Sequence, residues 1–152
     1  MKIKCLVLLL FCFILVGCSS GKEKEVVTTS KFEEISNSNS FIYLDNIGSY
    51  PNIDYMSEAK KAISDDIVIE YIVYTDEDSA KKAQDGQIEN FRNIKGTAVT
   101  EHKDDGKNYY KFWMVSNGYY MISSRVDNTL VFCKTLLNNK EKVEKIIEDM
   151  GY

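Results

Sequence analysis

Histidine is almost missing from this chain, and so are long apolar runs, surplus positive charge and cysteines that could pair within a folded domain. His102 is the only histidine, so a histidine-driven nucleophile has at most one candidate base. No His, Cys, Asp or Glu cluster has metal-ligand spacing, and no motif calls for a cofactor. The longest apolar run, residues 5–16, has 12 residues, shorter than the roughly 20 that a spanning helix needs. Acidic residues outnumber basic ones, 23 to 19, which makes nucleic acid, phosphate-bearing wall polymers and anionic headgroups poor electrostatic partners. Three of the four cysteines, Cys5, Cys12 and Cys18, lie in the first 18 residues, which leaves Cys133 alone further on. A lone cysteine on a strand reads as a small buried apolar side chain.

Two weaker patterns are set aside. Ser57-Glu58-Ala59-Lys60 and Ser79-Ala80-Lys81-Lys82 both satisfy Ser-x-x-Lys, but the companion elements of serine acylating enzymes are absent. Asp65, Asp66, Asp76, Glu77 and Asp78 could converge on a cation, yet acidic turns and helix starts account for them more simply.

What the chain does have is a leader. Lys2 and Lys4 precede the apolar run, and Leu15-Val16-Gly17-Cys18 closes it with a small residue directly before cysteine. That order of basic, apolar and small residues is a secretory signal. These four residues resemble the lipobox of the bacterial prolipoprotein family. The resemblance implies that the Cys18 thiol receives a diacylglyceryl group, that the lipoprotein signal peptidase cuts between Gly17 and Cys18, and that Cys18 becomes the lipidated first residue. Stable anchoring needs two acyl chains, since one holds only marginally. The partner implied is therefore the membrane itself, and the location is the extracytoplasmic side of the cell membrane. Plentiful Lys, Asn, Ile and Tyr beside a single proline also resemble small lipoproteins of low-GC Gram-positive bacteria.

Removing residues 1–17 leaves 135 residues, with 17 basic against 23 acidic side chains, a balance of −6. That is enough for one domain with a true core. Residues 18–29 read as the lipidated cysteine and a flexible tether, and residues 30–152 as a single domain. Ser30 and Glu33 suggest a capping box opening a short helix that carries Phe32 and Ile35 inward. A short strand is expected at 41–44 and another at 60–64, joined through Asp65-Asp66 to a strong strand at 67–75. Asp76-Glu77-Asp78 opens a second helix, with Ala80, Ala83, Gln87, Phe91 and Ile94 on its inner face and Gly96 as its stop.

Asp105-Gly106, Asn117-Gly118 and Asp127-Asn128 mark tight hairpins, which predicts a meander of strands at 97–103, 108–116, 119–126 and 129–136. Asn138 with Glu141 caps a closing helix carrying Val143, Ile146, Ile147 and Met150, stopped by Gly151. The expectation is an α+β fold: a curved antiparallel sheet with a four-strand C-terminal meander and helices mainly on one face, in the order αββαββββα. The TATA-binding-protein-like topology shares that order, with its helices on one face, and serves here as fold analogy alone.

Facing residues across the hairpins share a side of the sheet. One side carries Thr97, Met114, Met121 and Lys134, then Val99, Phe112, Ser123 and Phe132, then Glu101, Tyr110, Arg125 and Leu130, and reads as helix-covered core. The other carries Ala98, Trp113, Ile122 and Cys133, then Thr100, Lys111, Ser124 and Val131, then His102, Tyr109, Val126 and Thr129. Its middle row is polar, and Lys111 is costly to bury unpaired, so this side is assigned to solvent or to a partner. Trp113, Lys111, Tyr109, His102, Ser124 and Ile122 are the candidate face for a protein or small-molecule ligand; the alternative is that Trp113 and Ile122 simply pack against the N-terminal helix or the 41–55 segment. The functional expectation is a membrane-anchored, non-catalytic binding or interaction module, with no nucleic-acid partner, no cofactor and no catalytic residue assigned. The rival readings are a small cell-surface hydrolase or processing enzyme using Ser124, Lys111 and His102, and a substrate-capturing accessory to a transporter.

Overall fold

The computed structural model describes residues 21–51, 54–94, 96 and 99–152. The signal segment, Cys18, Thr97 and Ala98 lie outside the described residues. Among those described, no helix is long and apolar enough to cross a membrane.

The fold is α+β. In chain order it runs α1 (Thr29–Ser38), β1 (Ile42–Asp45), β2 (Met56–Ser64), β3 (Ile67–Tyr74), α2 (Glu77–Arg92), β4 (Thr100–Asp105), β5 (Tyr109–Ser116), β6 (Tyr119–Val126), β7 (Thr129–Leu136) and α3 (Lys140–Asp149). Seven antiparallel strands form one sheet in the order β1-β2-β3-β7-β6-β5-β4. Three strands precede α2, at the places where strands are expected at 41–44, 60–64 and 67–75, although the order αββαββββα counts only two of them. The C-terminal meander and its closing helix stand as read.

Turn chemistry sets the register. Asn117 and Gly118 both take positive φ, 52° and 76°, and place Met114 opposite Met121. Asp127, at φ 47°, turns β6 into β7 with Met121 opposite Lys134, and Asp65, at φ 50°, turns β2 into β3. The β4–β5 hairpin differs from expectation. Asp105 stays in the strand opposite Tyr110, and the chain turns through Gly106, Lys107 and Asn108, so that His102 faces Trp113 instead of Tyr109. The displacement is even-numbered, so every strand of the meander keeps its expected face.

Helices cover both faces of the sheet. α1 and α3 share one of them, where Phe32, Ile35, Val143, Ile146 and Ile147 pack on Ile69, Tyr71, Ile122, Val131 and Cys133. Phe32 stacks on Tyr71 with ring centroids 5.1 Å apart. α2 crosses the opposite face and buries Ala80, Gln84, Ile88 and Phe91. Its partners there are Phe112, Met114 and Met121 near Phe91, and Ile72 and Leu130 near Ala80. Helices thus lie mainly on one face by two to one, but α2 and α3 do not share a side as the TATA-binding-protein-like analogy requires.

Two helix starts are corrected. α1 is capped by Thr28, whose side chain accepts from Lys31 N–H at 3.2 Å, and not by a box of Ser30 and Glu33. Val27 is buried and its carbonyl accepts from the Tyr71 hydroxyl at 2.6 Å, so the helix begins directly behind that fixed point. α3 follows a 3-10 turn, Leu137–Asn139, and has no side-chain cap; Asn139 donates instead to Thr135 Oγ1 at 2.9 Å. Its inner face, Val143, Ile146, Ile147 and Met150, is buried as expected, and Gly151 ends it at φ 90°.

Residues 22–28 also depart from the slack tether expected of them. They form neither helix nor strand, yet Asn108 clamps Lys24 from both sides: its Oδ1 accepts from Lys24 N–H at 3.0 Å and its Nδ2 donates to Lys24 O at 2.8 Å. Lys107 N–H donates to Lys22 O at 3.0 Å. Gly106 is required by close approach and not by a positive φ, since a Cβ there would meet the Tyr109 ring at 2.2 Å and Lys22 O at 2.3 Å.

Candidate functional site

The six residues expected on an open face divide into two groups. Ile122 and Ser124 are fully buried and Tyr109 is 2 % exposed, because that face is the one α1, α3 and the residues 22–28 cover. The assignment of this side to solvent is therefore corrected. Lys111 and Trp113 are half-buried at its margin, and His102 is exposed on β4, stacked on Trp113 at 5.3 Å between ring centroids. Lys111 Nζ lies 5.9 Å from the Trp113 ring and donates to the main-chain oxygen of Tyr152 at 3.4 Å.

The hydrolase arrangement does not assemble either. Lys111 and Ser124 face each other across β5 and β6, but the Ser124 hydroxyl is buried without a hydrogen-bond partner and His102 sits one row away at the rim. Among the described residues no hydrogen bond joins the three, and no group of three or more His, Cys, Asp or Glu side chains comes together to hold a metal.

The open surface lies on the other face, beyond α2. α2 packs over the half of the sheet formed by β5, β6 and β7, while a 3-10 turn, Ile47–Ser49, and Tyr50 lean over β2 and β3 from the other side. Between them two hollows share Val68 and Glu70. One, of about 250 Å³, is lined by Gln87, Asn90 and Phe91 of α2, by Ile94 beyond its end, and by Phe132 and Lys134. The other, of about 410 Å³, is lined by Asn46, Ser49, Tyr50, Lys61 and Ile63. The floor continues outward over exposed apolar side chains, Val68 at 38 %, Leu44 at 41 % and Ile42 at 64 %. These belong to the face that alternation along β1, β2 and β3 turns toward α2.

Glu70 is the polar centre of the groove. Its Oε2 accepts from the Tyr50 hydroxyl and from Asn46 Nδ2 at 3.3 Å, and Asn46 Oδ1 in turn accepts from Ser49 Oγ at 2.9 Å. Burial, reinforced by the hydrogen bond to Glu70, pushes the Tyr50 phenol well above its ordinary pKa, so it remains a proton donor and holds the carboxylate in place. Lys61 faces Glu70 across β2 and β3, and Lys134 stands at the other rim. A fixed carboxylate with an apolar floor and a basic rim can hold an apolar body that carries a hydrogen-bond-donating head.

Cys133 is buried, and desolvation pushes its thiol up to about 12, which removes it from nucleophilic chemistry. Sequence reasoning gave Glu70, Asn46 and Tyr50 no role. Their convergence depends on the 3-10 turn folding back over β3, and no local pattern announces that.

No protein-family model and no curated protein matches the chain. Among solved structures, a crystal structure described as a GTP binding regulator from Thermotoga maritima aligns with a TM-score of 0.46 and 16% identity, over 87% of this chain and 91% of that one.

Proposed function

We propose that the protein is a lipid-anchored extracytoplasmic binding module whose ligand seats in the groove between α2 and the Asn46 to Tyr50 turn. The anchor rests on Leu15-Val16-Gly17-Cys18 with Lys2 and Lys4 ahead of it. Binding, as against catalysis, rests on one observation above the rest. The groove has at its centre a carboxylate locked by Tyr50 and Asn46, and the floor around it includes the exposed apolar side chains Val68, Leu44 and Ile42. The reading is of a small molecule or side chain with an apolar body and a donating head.

Two measurements test it. Cys18→Ala should move the folded domain from the membrane fraction to the soluble one; retention of that variant on membranes would count against the anchor. N-phenyl-1-naphthylamine, an apolar amine, should bind the parent saturably with a rise in fluorescence. Val68→Lys should weaken that binding at least tenfold while leaving the urea midpoint close to the parent's. An unchanged titration in Val68→Lys would place the site elsewhere.

A further inference from the structure

We infer that the residues 22–27 form a strap that fixes how the domain stands on the membrane, with the β4–β5 hairpin end toward the bilayer and the groove away from it. The inference rests on the lipid anchor proposed above and adds an orientation to it.

Leash length carries the argument. If the chain between Cys18 and α1 were slack, eleven Cα steps of 3.80 Å would allow the domain to wander up to about 42 Å from its anchor. The eight-residue strands of the sheet are only about 27 Å long, so a slack domain could present either end to the lipid. The strap removes that freedom. Lys22 and Lys24 are hydrogen-bonded to Lys107 and Asn108, Glu23 is ion-paired with Lys107 at 2.7 Å, and Lys24 Nζ lies 4.6 Å from the centroid of the Tyr109 ring. Val27 is pinned to Tyr71 behind them. The span from Cys18 to Lys22 then counts four Cα steps, at most about 15 Å, which is shorter than the sheet. The far end, at Asn117 and Leu137, cannot reach the bilayer while the hairpin end points away from it.

The groove is on the right side of this arrangement. The strap crosses the face that bears α1 and α3, whereas the groove opens on the α2 face, over Val68, Ile63 and Lys134 in the half of the sheet away from Gly106. Charge is mixed at the hairpin end, where Asp104, Asp105 and Asp127 stand among Lys22, Lys24, Lys103 and Lys107, so the leash and not a charged patch sets the orientation. The strap positions the domain; it does not bind lipid.

The test uses the full lipidated chain in phosphatidylethanolamine and phosphatidylglycerol vesicles that carry a headgroup-linked acceptor dye. A donor dye is attached through Asp78→Cys, at the hairpin end, or through Asn138→Cys, at the far end; both sites are exposed, and the buried Cys133 does not compete for label. Energy transfer should be at least twofold greater from position 78. Asn108→Ala, which removes the clamp on Lys24, and Gly106→Ala, which drives a methyl group into both Lys22 O and the Tyr109 ring, should each abolish that difference while the protein stays vesicle-bound. Equal transfer from both positions in the parent, or greater transfer from 138, would overturn the orientation while leaving the anchor standing. A lipidation-competent chain that does not partition to vesicles, or a Cys18→Ala variant that still does, would overturn the anchor and the orientation with it.

Discussion

Glu70 and Cys133 lie on neighbouring strands and have opposite fates. Glu70 is half-buried and keeps its polar partners, because Tyr50 and Asn46 reach it from a segment that no strand pairing requires to be there. Cys133, one position off its row and on the opposite face, is packed against Ile69 and Ile122 in the core below α3. Native protein treated with iodoacetamide at pH 8 should therefore leave Cys133 unmodified, and alkylation should appear only with the urea unfolding transition, followed by mass spectrometry. Rapid modification of the folded chain would show that the strand pair around Cys133 opens locally. The polar row that suggested a wet surface has a related explanation. Ser124 is small enough to be buried at the cost of one unpaired hydroxyl, and Lys111 escapes to the margin, so neither residue demands solvent over the whole face.

Elements show where local pattern suffices and where it fails. β3 and β5 to β7 were legible because their alternation and their two-residue turns agree with each other, as at Asn117-Gly118. α1 was legible as a helix, but not as the cover of Tyr71 and Ile69, since that contact joins residues far apart in the chain. On α2, Gln84 and Ile88 are buried where Ala83 and Gln87 were expected, a small rotation about the axis that lets Gln84 Nε2 donate to Tyr110 O at 2.9 Å. Phe32→Ala should cost about 3–5 kcal/mol in urea unfolding, as a fully buried aromatic does. Ile42→Asn, on the exposed strip, should change stability by no more than about 0.5 kcal/mol. Equal costs at the two positions would mean that the faces of the sheet are misassigned.

The start of α2 is sensitive to acid. Asp76 accepts from Ser79 N–H at 2.7 Å and from Ser79 Oγ at 2.9 Å, and the backbone hydrogen bond holds its carboxyl below the ordinary 3.8. A carboxyl whose pKa is lower in the folded state contributes its full stability above the unfolded value, and loses it as pH falls through the folded one. Asp76→Ala should therefore be less stable than the parent at neutral pH, with their urea midpoints converging as pH drops below 3.8. A gap that persists into acid would assign the loss to packing.

At the scale of the whole molecule, the sheet is two meanders joined along one seam. β1 to β3 come from the first half of the chain and β4 to β7 from the second, and the only ladder between them pairs β3 with β7, Ile69 with Cys133. Inside each half, partners are neighbours in sequence, whereas the seam joins residues some sixty positions apart, so its closure carries the largest loop entropy and should come last. A chain ending at residue 128 should therefore remain without the protection from amide hydrogen exchange that β3 has in the intact protein. β7, the last of these seven strands in chain order, is also the one that completes the centre of the sheet. Without it the two halves share no ladder, so a chain that has yet to deliver β7 to the sheet has nothing to lock it into shape.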